Sequence, residues 1–198
     1  MAAVAGDPAG WQLTSAEQGP LAARYDAVVL AVPAPQALPL LQVAPTLARL
    51  AAGATMRGSW ALMLRYAAPL ALPFDAAFVN AGPLRWIARD NSKPGRGAQE
   101  TWLLQASAEW SEAHIEDSPE MVAAALLAAF AELGAPPPAS WVAHRWRYAD
   151  SAPPLALGCA WDAALGLGVC GDWLSEGKVE GAWLSGHALA TRILGAPA

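Results

Sequence analysis

Two short aliphatic runs near opposite ends of the chain constrain its fold more than any other feature. Residues 28–32 read VVLAV, and residues 165–170 read LGLGVC. Runs without polar interruption are typical of strands buried on both faces of a parallel sheet. Since most of the chain lies between them, we expect one discontinuous lobe, formed by residues 1–55 and 155–198, with residues 56–154 inserted as a second lobe.

The inserted segment has a different pattern. In WALMLRY, the side chains of Trp60, Leu62, Leu64 and Tyr66 alternate with those facing the other way. LRWIARD, ETWLLQAS and WVAHRWRY are further strand candidates. Together they predict an antiparallel sheet with one covered face, and therefore an α/β (α+β) chain.

One helix of the inserted segment has clear start and stop signals. Ser118 suits the N-cap, Pro119 the first helical position and Gly134 the C-terminal end. A buried stripe is predicted along this helix, made of Val122, Leu126, Phe130 and Leu133.

The terminal segments are read from turn and breaker residues. The first 19 residues predict two short strands joined by a Gly/Pro turn, with Trp11 and Leu13 facing one way. Pro33 and Pro35 end the first aliphatic strand, and helical turns follow through Leu50. The second aliphatic strand ends at Gly171, and a helix is predicted from Glu180 to Leu194, ended by Gly195.

Composition argues against several functional classes. A net charge of −5 and a pI near 5.1 argue against nucleic acid or an anionic membrane surface as partner. The sequence contains no run of 18 apolar residues, so we expect no membrane span. It also has no basic segment before an apolar block, which is the pattern of an export signal. Cys159 and Cys170 lack metal-site spacing, so we expect reduced, buried thiols, no metal site and a cytoplasmic protein.

The closing stretch, GVCGDWLSEGKVEGAWLSGHALATRIL, resembles half of a cofactor site. Gly171 would let the backbone approach a ligand, and Asp172 presents a carboxylate beside it. The N–H groups at the helix start, around Glu180, Gly181 and Ala182, can stabilise an anion. The alternative is a plain strand–loop–helix connection.

The full string resembles the C-terminal flavin-binding signature of the FAD-dependent amine oxidase superfamily, and most closely its renalase-like bacterial branch. YDAVVLAVPAPQA is similar to the family strand that ends near the dinucleotide, and CGDWLSEGKVEGAWLSGHALA is similar to its closing block. LRWIARDNSKPGR, WLLQASAEWSEAHIE and AHRWRYA resemble its substrate-domain blocks. The family's GxGxxG turn has no counterpart in these 198 residues, so they resemble only the C-terminal part.

The resemblance implies a GR2-type FAD fold, in which a partial Rossmann-like FAD-binding lobe holds an inserted antiparallel-sheet substrate lobe. By family analogy, Asp172 would bind the ribityl or pyrophosphate region of FAD, and the backbone of Glu180, Gly181 and Ala182 would face the flavin N1–C2=O edge. Val32 and Pro33, at the end of their strand, would lie near the adenosine portion.

The substrate that the resemblance implies is a dihydro isomer of NAD(P). Lys93 would contact its phosphate, and Asn91 and Arg96 belong to the same candidate substrate-binding loop, although a lysine in a polar loop is usually just solvated. Candidates for its ring-binding wall, each with core packing as the alternative, are Trp60, Trp86, His144 and Trp146. The sequence assigns no catalytic residue.

Three functional hypotheses remain open at this point. The first is a renalase-type FAD-dependent oxidoreductase, with hydride transfer from a dihydronicotinamide to flavin and reoxidation by oxygen. The second is a non-catalytic truncated homologue, or a subunit completed by a homodimer partner or by a separate N-terminal segment. The third is an amine oxidase.

Overall fold

The structure is a computed structural model that describes residues 3–7, 10–79 and 81–195. Its described residues form two compact units. The terminal unit comprises Met1–Met56 and Asp150–Ala198, and the central unit comprises Arg57–Ala149. Each unit has its own hydrophobic core.

The terminal unit contains two three-stranded sheets and three α-helices within its described part. The strands of the first sheet pair antiparallel in the order β1 (Ala3–Asp7), β2 (Gly10–Ser15) and β3 (Gly19–Tyr25). The second sheet has the order β10 (Ala160–Asp162), β11 (Leu167–Val169) and β4 (Val28–Leu30). The helices are α1 (Ala34–Ala37), α2 (Pro45–Gly53) and α5 (Lys178–Leu194).

The two aliphatic runs, each predicted to form a strand of a parallel sheet, pair with each other. Leu167 lies opposite Val28 and Val169 opposite Leu30 in a parallel ladder. β11 is buried throughout, but Val29 of β4 is 44% exposed, so the prediction that this strand is buried on both faces was wrong. Val28 and Leu30 point into the core while Val29 points away from it, because successive side chains of a strand alternate between faces. β4 also ends at Leu30, two residues before the predicted Val32.

The opening strands agree with the prediction, with β1 and β2 paired and Trp11 and Leu13 both packed in the core. Pro8, in the predicted turn between them, lies outside the described residues. β3 was not predicted from the sequence.

The central unit is a five-stranded sheet with helices. Its strand order is β6 (Ala76–Phe78), β7 (Leu84–Arg89), β8 (Thr101–Ala106), β5 (Met56–Arg65) and β9 (Ser140–Ser151). The β6–β7, β7–β8 and β8–β5 pairs are antiparallel. The predicted alternation in β5 is confirmed, since Trp60, Leu62 and Leu64 are buried while Met63 is 42% exposed. The helices are α3 (Ala108–Ala113) and α4 (Pro119–Ala131).

Helix α4 begins as the sequence predicts. The Ser118 hydroxyl accepts a hydrogen bond from the Met121 N–H at 3.3 Å, and Gly134 follows the helix with φ +92°. Val122, Leu126 and Phe130 form the predicted buried stripe. Leu133 does not belong to it, because it lies beyond the last helical residue and is 38% exposed. Because α4 ends at Ala131, its 3.6-residue period does not continue to Leu133, and this side chain does not lie on the core face.

Replacing Leu126 with Ala should lower the free energy of unfolding of the central unit by about 2–5 kcal/mol, because this side chain is fully buried. The matched variant Leu133→Ala should cost less than about 1 kcal/mol, because Leu133 is already partly in water. Urea unfolding followed by tryptophan fluorescence measures both. If both variants lost the same free energy of unfolding, the assignment of Leu126 to the core and of Leu133 to its outside would be wrong.

Candidate functional site

The residues predicted to bind a cofactor meet at one edge of the β10–β11–β4 sheet. β4 and β11 are parallel, so their carboxyl ends lie side by side. The Trp173 indole N–H donates to the Val32 carbonyl at 3.1 Å, and the Cys170 N–H donates to the Leu30 carbonyl at 3.1 Å. The structure therefore brings Val32 close to the segment that contains Gly171 and Asp172.

Gly171 is required by the local backbone. Its φ of +156° favours glycine, and a Cβ at this position would lie 2.7 Å from Trp173 Nε1. The chain then makes a 3₁₀ turn over Asp172–Leu174. The Asp172 carbonyl accepts hydrogen bonds from the N–H groups of Ser175 and Gly177, both at 3.0 Å. This turn directs the chain into α5.

Helix α5 begins at Lys178, two residues before the predicted Glu180. Its N–H groups without an acceptor inside the helix are therefore those of residues 178–180, whereas Gly181 and Ala182 lie further inside. No side chain caps this end, and Val179 is 88% exposed. The predicted stop is confirmed, since Gly195 adopts a left-handed conformation with φ +65°.

Two observations favour a ligand at this edge. The half-buried Asp172 carboxylate has no hydrogen-bond or ion-pair partner among the residues that the structure describes. The first-turn N–H groups of α5 have no side-chain cap, and a helix start carries positive partial charge. A carboxylate can accept hydrogen bonds from hydroxyl groups, and the helix start can stabilise an oxygen that carries negative charge. This donor and acceptor set fits the ribityl and pyrimidine parts of a flavin.

The sequence did not reveal the role of Ser185. Its hydroxyl accepts the Gly171 N–H at 2.9 Å and donates to the Gly158 carbonyl, and the residue is fully buried. It therefore ties α5 to the turn that presents Asp172. The sequence carries no signal for the Gly158 contact, 27 residues away.

The residues predicted to bind substrate do not form one cluster in the central unit. Trp60 is 2% exposed, and its indole N–H donates to the His114 carbonyl at 2.9 Å, which favours the core-packing alternative. Trp86 packs against Phe78 with ring centroids 4.6 Å apart. His144 and Trp146 form an edge-to-face pair at 4.3 Å on β9. β7 and β9 are three strand spacings apart, about 14 Å, so Trp86 and Trp146 do not share one wall.

Asn91 has a structural role that the sequence did not predict. Its amide N–H donates to Glu100 Oε2 at 3.1 Å, and its carbonyl oxygen accepts the Thr101 N–H at 3.2 Å. Lys93 Nζ lies 2.8 Å from Asp90 Oδ1, and Arg96 Nε lies 3.7 Å from Asp90 Oδ2. The pKa of Asp90 is lowered, mainly by the hydrogen bond from Lys93. The Lys93 and Arg96 side chains remain about half exposed, at 49% and 58%.

Glu100 is a buried carboxylate that anchors the start of the loop of residues 91–96 through its hydrogen bond with Asn91. It is 4% exposed and accepts hydrogen bonds from the Trp102 indole at 2.8 Å and the Leu70 N–H at 3.1 Å, besides that from Asn91. Arg89 Nε lies 3.3 Å away, too poorly aligned for a hydrogen bond. Burial alone would raise the pKa of Glu100, but these donors and the arginine charge together lower it. Burial and the Glu100 charge raise the pKa of Tyr66 to about 12.

The two cysteines are both free and buried, as predicted. Burial, with Cys159 nearby, raises the pKa of the Cys170 thiol, so this thiol is neutral at physiological pH. The structure groups no three potential metal ligands among its described residues. In the same part of the chain, every helix is too short or too polar to cross a bilayer.

Acid should destabilise the central unit through Glu100. Its pKa is lower in the folded state than the value of about 4.3 in an unfolded chain. The ionised carboxylate therefore adds stability above the unfolded pKa, and this contribution is lost as pH falls through the folded pKa. Glu100→Gln should flatten the fall in urea midpoint between about pH 5 and pH 3. The exposed Glu132→Gln is the control, and an equally steep fall in the Glu100 variant would contradict the assignment.

Ser185→Ala should remove the partner of the Gly171 N–H and of the Gly158 carbonyl. The expected loss in free energy of unfolding is about 1–3 kcal/mol, with faster hydrogen exchange at the Gly171 amide. Ser175→Ala is the control, because the Ser175 hydroxyl bonds to no residue that the structure describes. Unchanged Gly171 exchange in the Ser185 variant would rule out the positioning role.

Comparison with known proteins gives the fold. No family model matches the chain. A candidate protoporphyrinogen oxidase from Exiguobacterium sp. 255-15 superposes with a TM-score of 0.70 at 16% identity, covering 98% of this chain and 46% of that protein. Cyclohexylamine oxidase from Brevibacterium oxydans IH-35A gives 0.68 at 17% identity, covering 96% and 47%. Putrescine oxidase bound to putrescine gives 0.64 at 16% identity, covering 98% and 47%.

The chain therefore spans a little under half the length of the solved structures that it matches. Identities of this size establish the fold alone. The predicted fold class is confirmed, because the chain is a mixed α/β protein with antiparallel sheets and superposes on these solved oxidases.

Proposed function

We propose that this chain forms the C-terminal portion of an FAD-dependent oxidoreductase. The observation that carries the proposal is a convergence at one sheet edge. The carboxyl ends of two parallel strands, the uncapped start of α5 and the Asp172 carboxylate, which has no partner among the described residues, come together there. Ligands of open α/β sheets bind outside the carboxyl ends of the strands. The shared fold of three oxidases supports the same class of chemistry.

The residues of this edge would hold FAD in a defined way. Asp172 would accept hydrogen bonds from ribityl hydroxyls, and the N–H groups of residues 178–180 would stabilise negative charge on the pyrimidine edge. Val32 and Pro33 would border the adenosine portion, although the Val32 carbonyl is already bonded to Trp173. When bound, FAD would supply the capacity to accept a hydride and to pass the electrons to oxygen.

The substrate we propose first is a dihydro isomer of NAD(P), as in renalase-type enzymes. The support for this choice is the chemistry of separate exposed groups: Trp146 is 56% exposed, and Lys93 and Arg96, which pair with Asp90, are about half exposed elsewhere in the central unit. Such groups suit a flat ring that carries phosphates.

Amine oxidation is the second candidate. Two of the matched solved structures are amine oxidases by name, cyclohexylamine oxidase and putrescine oxidase. The third alternative is a chain that binds FAD only with a homodimer partner or a complementing N-terminal segment, or that does not bind it at all. Because the chain spans under half of the matched structures, this alternative is tested first.

The first experiment is a flavin-binding titration of the 198-residue chain. Added FAD should lose fluorescence on binding, and the complex should keep a visible flavin band after desalting. Asp172→Asn should weaken binding about tenfold or more, because a charged hydrogen-bond acceptor is lost. Glu176→Gln, an exposed change nearby, is the matched control.

The results separate the alternatives. Retained flavin with an Asp172-dependent affinity supports the proposal, and turnover of dihydronicotinamides against amines then decides the substrate class. A colourless protein would reject FAD binding by this chain alone. Co-expression with a segment that carries a GxGxxG turn would then distinguish a subunit from a non-catalytic homologue.

A further inference from the structure

The central unit contains a cavity that none of the predicted substrate residues lines. Its volume is about 600 Å³, and it is bordered by Met63–Arg65 of β5, Thr101–Leu103 of β8, residues 140–142 of β9, and Asp90. Ligand pockets typically measure about 300–1,000 Å³. The cavity is therefore large enough for a small organic molecule.

The walls of this cavity are apolar on a face that is exposed. Met63 and Leu103 lie directly opposite each other in the β5–β8 ladder, and Met63 is 42% exposed. Trp141 and Val142 are 36% and 61% exposed. Trp141 and Val142 are consecutive in β9, so only one of these two side chains shares the face of Met63 and Leu103. Three large apolar side chains that border one concave surface favour a ligand with an apolar body.

The charge at this cavity is positive. Asp90 is neutralised by Lys93 at 2.8 Å and by Arg96 at 3.7 Å. Arg65 also borders the cavity, and its guanidinium has no ion pair or hydrogen bond with any residue in the described part of the chain. A guanidinium presents several N–H donors in a planar fork that matches a carboxylate or phosphate.

We propose that this cavity binds a small amphipathic anion, with an apolar, aromatic body between Met63, Leu103 and Trp141 and a carboxylate or phosphate at Arg65. The proposal goes beyond the proposed oxidoreductase function. Every residue that carries it belongs to the central unit, and binding would require no flavin.

Trp141 provides a direct reporter of binding. The 198-residue chain would be labelled with 5-fluorotryptophan, and its ¹⁹F resonance for Trp141 would be assigned by its loss in Trp141→Phe. The probes are 3-phenylpropionate, phenyl phosphate and the neutral 3-phenylpropan-1-ol, each titrated in the absence of FAD. We expect a saturable shift of the Trp141 resonance with both anions. The anion that binds with the higher affinity shows whether the site prefers a carboxylate or a phosphate.

Arg65→Gln should weaken anion binding about tenfold or more while leaving the other ¹⁹F resonances in place, because Arg65 is exposed. Arg65→Lys should restore part of the affinity. The matched control is Arg85→Gln, which removes the same charge from an exposed position of β7 outside the cavity.

Three results would overturn the proposal: no saturable shift at Trp141, equal affinity for the alcohol and the anions, or an affinity unchanged in Arg65→Gln. None of them bears on the oxidoreductase proposal, because flavin binding is measured separately and depends on residues of the terminal unit.

Discussion

The terminal unit depends on the parallel pairing of β4 with β11, because it joins two segments that are far apart in the chain. The Trp173–Val32 hydrogen bond, for example, joins two residues that are 141 positions apart in the chain. Trp173 is fully buried, and a buried indole N–H needs an acceptor. The Val32 carbonyl, just past the end of its strand, provides one. Trp173, a core residue, thus fixes the position of the sheet edge that carries Asp172. The carboxyl ends of β4 and β11 are aligned at this edge, where a ligand would bind.

Glu100 plays the corresponding part in the central unit. A buried carboxylate is costly unless it is paired and hydrogen-bonded, and here three donors and the Arg89 charge surround it. Both ends of the Asn91 side-chain amide are engaged here, the N–H with Glu100 and the oxygen with the Thr101 N–H. The turn that follows is therefore anchored at its start, while Lys93 and Arg96 extend from it into water. One polar loop therefore contains both a structural residue and two half-exposed cations that pair with Asp90.

Features with a local cause could be predicted from the sequence. The alternation of β5, the cap of α4 at Ser118 and the stop of α5 at Gly195 each follow from a few neighbouring residues. The errors have two kinds of cause. Val29 is exposed for a tertiary reason, because only one face of β4 meets the core. α5 starts early for a local reason, because the Gly177 N–H donates to the Asp172 carbonyl five residues before it. The residues of the site were predicted on two segments, Val32–Pro33 and the closing stretch. The contacts that join them, from Trp173 to Val32 and from Ser185 to Gly171 and Gly158, were not predicted.

The register of one sheet decides which arginine is structural and which is available. Arg89 of β7 lies opposite Trp102 of β8, and Arg65 of β5 lies opposite Thr101. Thr101 and Trp102 are consecutive, so the two arginines project from opposite faces of the sheet. On the core face, Arg89 is held by Glu100, Asp75, the Leu70 carbonyl and the Trp102 ring. A one-residue slip of β5 would turn Arg65 into the same apolar core without those partners, at a large desolvation cost. The apolar core that fixes the register therefore also keeps the Arg65 charge at the open face, beside the cavity.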